Sequence, residues 1–465
     1  MIRRAVGLWG VLLALIGSAL ALGAHVPSSG LVTYEVLGVG SVNVALDVDR
    51  VLRVPLRTSQ YAGGMWSPSG RYRLYTRRDE DLETFDLLLT DPIGLNDIHI
   101  QLPPPLDDDG NLIQVFSSRF NFSSDERHLI YFMSVRQTGT DGTVGDFQTY
   151  VGVADFAGEP AFGWGLRSPL EAGYAWSPGG RYLAEVSSGL IGPDGNLMTP
   201  IWLTVGDTTI DDAWQKTIDI PGAVGVDARS GAWSGDEMWL ALTGIDAPNR
   251  SPELLYIVSK DGEDIRLVGD TRNRPMRYTW ATNGAQLALT IEDGLMAVYD
   301  ATTETEVRRL SAGPETLLTP VVWSPDSEVL LAQWLAMDDA PASRNHLVLV
   351  IKDELSTIGI FNGGVRNVMW SPNGTQALLT ITDRGQADIY LLDLPSRSLR
   401  PLTDQGLRNH SPRWSLDGTQ VVFASDRAID TNEAIFMMNA DGTDVQRLNR
   451  VGQGACCVRW LPLGR

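Results

Sequence analysis

One short phrase recurs along this 465-residue chain and limits what the chain can fold into. In full copies, such as the one at Trp370, a Trp is followed by Ser, Pro, Asp or Asn, and Gly. Successive copies lie 43 to 57 residues apart. Units of this length bury a continuous core only by stacking on their neighbours. The aromatic residues that mark the copies are Trp66, Phe122, Trp176, Trp233, Trp280, Trp323, Trp370, Trp414 and Trp460.

The residue types of the phrase predict a tight turn between two strands. Pro presets φ for the second position of a type I turn, Asp or Asn tolerates turn conformations, and Gly supplies a positive φ. The aromatic residue then ends the strand before the turn. Burying a Trp removes roughly 200 Å² from water. We therefore expect one aromatic residue per repeat to seal the layer between neighbouring units, as a structural rather than a functional residue.

The sequence after each turn continues as short strands. In the copy at Trp414 these are Gln420–Ser425, Ala434–Asn439 and, after an Asp-Gly hairpin, Val445–Leu448. Together with the strand that ends at the motif aromatic residue, each unit has four strands. Four-stranded units of 40 to 50 residues are typical of β-propeller blades. The repeat count predicts an all-β single propeller of four-stranded antiparallel blades, eight to nine in number and nine by the count of copies.

The segment from Trp414 to Leu448 resembles the WD40-like (PD40) repeats of the TolB family of β-propellers. Similar repeats form the propeller domains of the prolyl oligopeptidase and dipeptidyl-peptidase families. The resemblance spans roughly residues 31–465 and implies the propeller fold. It does not extend to activity, because the Gly-x-Ser-x-Gly elbow of those peptidases does not occur in the sequence. We also expect no counterpart of the α/β domain that precedes the TolB propeller.

The two ends of the chain predict how the ring closes. Leu31–Leu37, Val42–Val48 and Val51–Leu56 have the pattern of the last three strands of a blade. Ala455–Trp460 has the pattern of a first strand alone. One blade shared between both ends would hide two sheet edges that otherwise invite aggregation. The propeller therefore covers residues 31–465.

Residues 1–24 have the features of a targeting segment. Arg3 and Arg4 precede the uncharged, apolar stretch Ala5–Ala24, and Ala19-Leu20-Ala21 offers a small-x-small cleavage site. Cleaved, the segment is a signal peptide; uncleaved, its length allows an N-terminal membrane anchor. Residues 25–30 are a short linker. Both alternatives predict an extracytoplasmic protein that is periplasmic, secreted or anchored facing outward.

Net charge limits the classes of partner that the chain can bind, and the cysteine content limits its disulfides. The formal net charge of −20 disfavours nucleic acid and anionic membrane surfaces, since phosphate would be repelled. The two cysteines, Cys456 and Cys457, are adjacent. They could form a strained vicinal disulfide, but small apolar residues flanking a strand are the favoured interpretation. We expect a monomer that binds a protein or glycan partner of the cell envelope and carries no cofactor.

No set of residues in the sequence has the spacing of a catalytic or metal site. The histidines, His25, His99, His128, His346 and His410, show no metal-ligand spacing. Asp107, Asp108 and Asp109 are weak candidates for a cation, since the full calcium-loop pattern is lacking and a solvated turn explains them equally well. Long loops at 103–111, 139–146 and 191–196 are the places where specific function is most expected.

Six tryptophans lie outside the phrase, and five of them follow the targeting segment. Trp239 and Trp334 have strand contexts typical of core residues, whereas Trp164 and Trp214 are predicted in loops and, with Trp202, could line a sugar-binding surface. The sequence therefore favours a non-catalytic binding or scaffold propeller. The alternative is a hydrolase or lyase acting on polysaccharide or peptide, with a site at the propeller mouth assembled from several blades.

Overall fold

The computed structural model describes residues 31–461 with internal gaps. The gaps are 37–39, 48–49, 56–61, 80–83, 91–96, 103–113, 139–143, 157–159, 168–171, 188–200, 210–211, 219, 221–222, 224, 246–253, 271–276, 337–344, 404–407 and 428–432. The predicted targeting segment 1–24 and linker 25–30 lie outside the described residues. Within the described part, no helix is long and apolar enough to cross a membrane.

The described residues form short strands. The first eleven are β1 Leu31–Val36, β2 Gly40–Asp47, β3 Arg50–Pro55, β4 Ala62–Trp66, β5 Arg73–Asp79, β6 Thr84–Thr90, β7 Asp97–Gln101, β8 Gln114–Phe122, β9 His128–Thr138, β10 Val144–Asp155 and β11 Pro160–Arg167. The next twelve are β12 Ala172–Trp176, β13 Tyr182–Ser187, β14 Ile201–Asp207, β15 Asp212–Ile218, β16 Gly225–Trp233, β17 Trp239–Ile245, β18 Leu254–Ser259, β19 Ile265–Asp270, β20 Tyr278–Trp280, β21 Gln286–Thr290, β22 Met296–Asp300 and β23 Thr305–Leu310.

The remaining strands complete the chain. They are β24 Thr316–Trp323, β25 Val329–Ala336, β26 Asn345–Ile351, β27 Glu354–Phe361, β28 Val365–Trp370, β29 Gln376–Asp383, β30 Gln386–Asp393, β31 Ser398–Pro401, β32 Asn409–Trp414, β33 Gln420–Ser425, β34 Ala434–Asn439, β35 Gln446–Arg447 and β36 Ala455–Leu461. A single 3₁₀ turn, Glu292–Gly294, interrupts the strands of the described residues. The all-β prediction is confirmed.

The strands of the described residues pair into nine four-stranded antiparallel sheets. Eight of them take four consecutive strands each, and we call them blades 1 to 8, from β4–β7 to β32–β35. The ninth, the closing blade, has the order β3-β2-β1-β36. First strands of neighbouring blades touch, as β12 does β16 and β32 does β36. The blades therefore stand side by side around a ring, as in a β-propeller.

The closing blade joins the two ends of the described chain, as the sequence predicted. Its register places Val32 opposite Trp460 and Val36 opposite Ala455, with an irregularity between Thr33 and Glu35. Val32 and Tyr34 pack with blade 8 residues in one buried cluster. The Tyr34 hydroxyl also donates to the Leu448 carbonyl of blade 8 at 3.3 Å. The inner edge of β1 is therefore paired by β36.

The phrase forms the turn between the first and second strands of a blade. The first strands of blades 1 to 8 end at the motif aromatic residue. In seven of these blades the next residue is a buried Ser, whereas blade 5 has Ala281, and the Ser hydroxyl makes two hydrogen bonds, as Ser324 shows. It donates to the Asp326 carboxylate at 2.5 Å and accepts the Val329 N–H at 3.0 Å. In the other six blades with this Ser, the corresponding backbone N–H, five residues after the Ser, is likewise accepted by the Ser hydroxyl; these serines are Ser67, Ser123, Ser177, Ser234, Ser371 and Ser415.

Several motif aromatic residues contact the preceding blade at equivalent positions. Five of them donate their indole N–H to the carbonyl of the residue just before the motif aromatic residue of the preceding blade. The donors are Trp233, Trp280, Trp323, Trp414 and Trp460, with distances of 2.8 to 3.2 Å. Trp176 and Trp370 occupy the same place, but their buried indole N–H has no acceptor among the described residues. Each such bond ties one first strand to the next around the ring.

Turns of neighbouring blades also touch at this end of the ring, which we call the motif end. Blades 2, 4 and 6 place a non-Gly residue, Glu126, Glu237 or Ser327, at the positive-φ position of the turn. In each case the side chain accepts a backbone N–H from the turn of the preceding blade. Such a φ is costly for residues other than Gly. The bond to the neighbouring turn offsets that cost.

Two sequence-based predictions of loops are wrong. Trp164 lies on β11 and Trp214 on β15, the outermost strands of blades 2 and 3. Trp214 pairs with Val205 across the sheet. The predicted loop 139–146 ends earlier, because Val144–Asp146 belong to β10, which is bulged against β9 between Val144 and Phe147. Loops 103–111 and 191–196 lie outside the described residues.

Candidate ligand-binding pocket

A pocket of about 310 Å³ opens at the motif end of the ring. Four consecutive blades contribute to it: blade 7, blade 8, the closing blade and blade 1. Its walls come from the phrase turns and the residues just before them: Pro68, Ser69, Gly70, Met369, Trp370, Pro372, Arg413, Trp414, Ser415, Leu416, Arg459 and Trp460. The turn of blade 1 thus lies beside β36 of the closing blade, the blade that joins the two ends of the described chain.

Two arginines give the pocket its charge. Arg413 and Arg459 each directly precede a motif Trp, so they hold the same position in blade 8 and in the closing blade. Burial, and then the neighbouring charge of Arg459, lower the pKa of Arg413 below its ordinary value. A guanidinium nitrogen of Arg413 lies 3.5 Å from the Met369 sulfur. Among the described residues, neither arginine forms an ion pair with a carboxylate.

Apart from the buried Trp370 indole N–H, which has no acceptor among the described residues, the other polar side chains of the pocket wall are already engaged. The indole N–H groups of Trp414 and Trp460 donate to backbone carbonyls of the preceding blades. The Ser415 hydroxyl donates to Asp417 and accepts the Gln420 N–H. The Ser69 hydroxyl donates to Glu126 at 2.6 Å. The arginines are therefore the groups of the wall best placed to take a new partner.

The apolar part of the wall combines aliphatic residues with three tryptophans, of which Trp370 is partly exposed. Leu416, which replaces the phrase proline in blade 8, is 50% exposed. Pro68, Pro372 and Met369 lie near it. Trp414 and Trp460 line the pocket only with edges, since they are 8% and 6% exposed.

The described histidines stay apart. His99, His128, His346 and His410 lie on blades 1, 2, 6 and 8. His346 stacks on Trp334 with 3.6 Å between ring centroids, and His410 lies 3.2 Å from Glu433. Burial lowers the pKa of His128. No group of three His, Cys, Asp or Glu side chains among the described residues could hold a metal ion. Asp107, Asp108 and Asp109, the weak cation candidates, lie outside them.

The remaining candidates occupy ordinary strand positions. Trp239 and Trp334 are half-buried against the core clusters of blades 4 to 6. Trp202 is 38% exposed on β14. Cys456 and Cys457 lie on β36, and Cys457 sits at the irregularity of that strand with φ 61°. The two cysteines are not joined in a vicinal disulfide in this structure.

Sequence reasoning did not identify the pocket arginines or the buried motif serines. A signal for the arginines was present: consecutive repeats carry Arg immediately before the motif Trp. The other seven repeats have Met65, Asn121, Ala175, Ala232, Thr279, Val322 and Met369 there. Nothing in the spacing shows that two such side chains border one cavity.

Fold and repeats together define a β-propeller protein. Residues 305–465 match the family described as "TolB beta propeller domain" (PD40). The TolB-like character of the repeats, predicted from the phrase, is therefore confirmed in this part of the chain. For residues 31–304 the resemblance rests on the shared blade architecture.

Individual relatives are distant. The uncharacterized peptidase YuxL of Bacillus subtilis (strain 168) is 25% identical over 122 residues, which cover 25% of this chain and only 18% of YuxL. A crystal structure of a eukaryotic initiation factor superposes with a TM-score of 0.60 at 12% identity, covering 94% of this chain and 100% of that one. Porphyromonas gingivalis dipeptidyl peptidase 4 superposes with a TM-score of 0.47 at 13% identity, covering 84% of this chain and 60% of its own.

Proposed function

We propose that this chain is a non-catalytic binding protein that takes its ligand at the motif end of the propeller. The observation that carries the proposal is the pair Arg413 and Arg459 in one pocket, without a carboxylate partner among the described residues. A guanidinium stays protonated throughout the working pH range, so it binds anions but does not act as a general acid or base. The described pocket wall also contains no carboxylate, imidazole or thiol. The two arginines in a wall of this composition favour ligand recognition over catalysis.

The competing function is peptide hydrolysis. YuxL is described as an uncharacterized peptidase, although the matching stretch spans less than a fifth of it. A peptidase would need a nucleophile or a metal in reach of the substrate. Turnover of a peptide library by the purified chain would overturn our proposal. Unchanged peptides after prolonged incubation, together with binding, would support it.

We further propose that the protein works outside the cytoplasm. The support is the sequence of residues 1–24, with two arginines before an apolar stretch. A reporter fused after Arg465 that is active only outside the cytoplasm should give signal. Replacing Arg3 and Arg4 by Glu should lower it. Activity of a strictly cytoplasmic reporter at the same place would contradict this localisation.

Site-specific photo-crosslinking tests the location of the binding surface. A photoreactive residue at position 416 lies at the pocket, where Leu416 is 50% exposed. Position 451 is the matched control, because Val451 is 80% exposed and precedes β36, away from the motif end. We expect a discrete adduct in the native envelope from position 416 and none from position 451. Equal adducts from both positions would count against a ligand at the motif end.

A further inference from the structure

The pocket arginines are not part of the repeated scaffold. Seven of the nine repeats have an uncharged residue immediately before the motif aromatic residue, and the fold forms the same strand there. Only blade 8 and the closing blade place Arg at this position. Folding therefore does not require the two charges, which points to a role in binding.

Charge repulsion makes the pair a receptor for an anion. Arg413 is half-buried, and the charge of Arg459 lowers its pKa further. A bound anion would relieve this repulsion while it accepts hydrogen bonds from both groups. Arginine is the side chain best suited to a planar carboxylate, because its fork of donors matches the two oxygens. The ligand should be a small anionic group rather than an extended polyanion, because the whole chain carries a net charge of −20.

The apolar wall indicates what accompanies the anion. Sugars bind proteins by stacking on exposed aromatic faces, but Trp414 and Trp460 are buried between blades and Trp370 is only partly exposed. The exposed apolar contact is Leu416, beside Pro68 and Pro372. These residues fit an aliphatic side chain. The volume of about 310 Å³ is at the lower end for ligand sites, enough for one or two residues.

We infer that this pocket binds a peptide carboxylate flanked by an aliphatic side chain, with Arg413 and Arg459 holding the carboxylate and Leu416 contacting the aliphatic group. The inference rests on the proposed binding function and narrows its ligand. The carboxylate can come from an acidic side chain or from the C-terminus of a peptide. Both sources present the same two oxygens.

Binding of short fluorescent peptides to the purified chain tests the inference. One peptide is blocked at both ends and carries Leu-Glu-Leu; a second replaces Glu by Gln; a third ends in Leu with a free carboxylate. We expect binding of the first or the third peptide, at least tenfold weaker binding of the Gln peptide, and weakening with added salt. The peptide that binds identifies the source of the carboxylate. The inference would be overturned if the Glu and Gln peptides bind equally and no more weakly than the peptide with the free carboxylate, or if free glucuronate binds more strongly than the peptides.

Variants locate the bound peptide. Arg413→Gln and Arg459→Gln should each weaken binding about tenfold or more, whereas Arg413→Lys should keep part of it. Arg384→Gln is the control, since Arg384 is an exposed charge in the β29–β30 turn, at the other end of blade 7. Circular dichroism verifies that each variant is folded. An equal loss in Arg384→Gln would refute the assignment to this pocket.

The outcomes separate this inference from the proposed function. If no peptide binds while position 416 still yields its adduct in the envelope, the carboxylate inference is wrong and the binding function stands. If the peptides are cleaved, the non-catalytic function is wrong.

Discussion

Removal of β36 should destabilise the ring far more than the length of that strand suggests. The change is a chain that ends at Gly454, which deletes residues 455–465, including all of β36, and leaves β1 without its partner. The deleted strand buries Val458 and Trp460 against blade 8. It also deletes the bond from the Trp460 indole N–H to the Arg413 carbonyl, 3.1 Å long.

The magnitude follows from these buried groups. Loss of a core Trp costs about 3–5 kcal/mol, and burial of a Val contributes roughly 1.5 kcal/mol or more. The expected loss is therefore at least about 5 kcal/mol, comparable with the total stability of many domains. The exposed edge of β1 should also promote association, since an unpaired strand edge is a template for pairing.

Guanidinium unfolding followed by Trp fluorescence, with light scattering for mass, measures both effects. A chain lacking only residues 462–465 is the control, because it keeps β36. Trp460→Phe is a milder variant that loses the N–H bond and should cost about 1 kcal/mol. The reasoning is refuted if the chain ending at Gly454 unfolds at the same denaturant concentration as the control and remains monomeric.

Three further predictions concern the phrase turns and can be measured by the same unfolding assay. Ser324→Ala should cost about 1–3 kcal/mol, because the buried N–H of Val329 loses its acceptor; an unchanged midpoint would contradict this role. Glu237→Gln should weaken the bond to the Gly179 N–H, whereas Glu237→Gly also relieves the positive φ and should lose less stability; the reverse order would be inconsistent with compensation. The Ser324 hydroxyl lowers the pKa of Asp326. Its carboxylate should therefore stabilise the fold above about pH 4, with the contribution disappearing as pH falls through the lowered pKa, and Asp326→Asn should flatten this acid dependence.

The sequence predicted the architecture well because the repeat is visible at the level of turns. Predicted strands Gln420–Ser425 and Ala434–Asn439 match the structure at both ends. The pairing of both chain ends in one blade was also correct. These features depend on local patterns: an apolar strand, a turn phrase and a regular spacing. Around Trp164 and Trp214 the alternation of apolar and polar residues is weak, and the sequence analysis therefore predicted loops where the structure has strands.

The contacts between blades could not be read from the sequence. The acceptor of the Trp414 indole N–H is the Met369 carbonyl, one repeat away, and any residue type would supply it. Glu126 and Glu237 stand where the phrase has Gly. From the sequence alone they look like random divergence of the repeat, because the backbone N–H groups that they accept belong to the turn of the preceding blade. The pocket arises in the same way, since Arg413 and Arg459 meet only because consecutive blades place equivalent positions side by side.

The shared closing blade also sets the order in which the molecule can be completed. β1 is among the first strands to be synthesised, yet its partner β36 is the last strand of the described chain. Until that strand has emerged, the nascent protein is an open arc with two unpaired edges, and contacts this distant in sequence form slowly. We expect a chain arrested before residue 455 to be recognised by chaperones or proteases as unfinished. The closing blade also contributes Arg459 and Trp460 to the pocket, so the proposed ligand binding should require a complete ring.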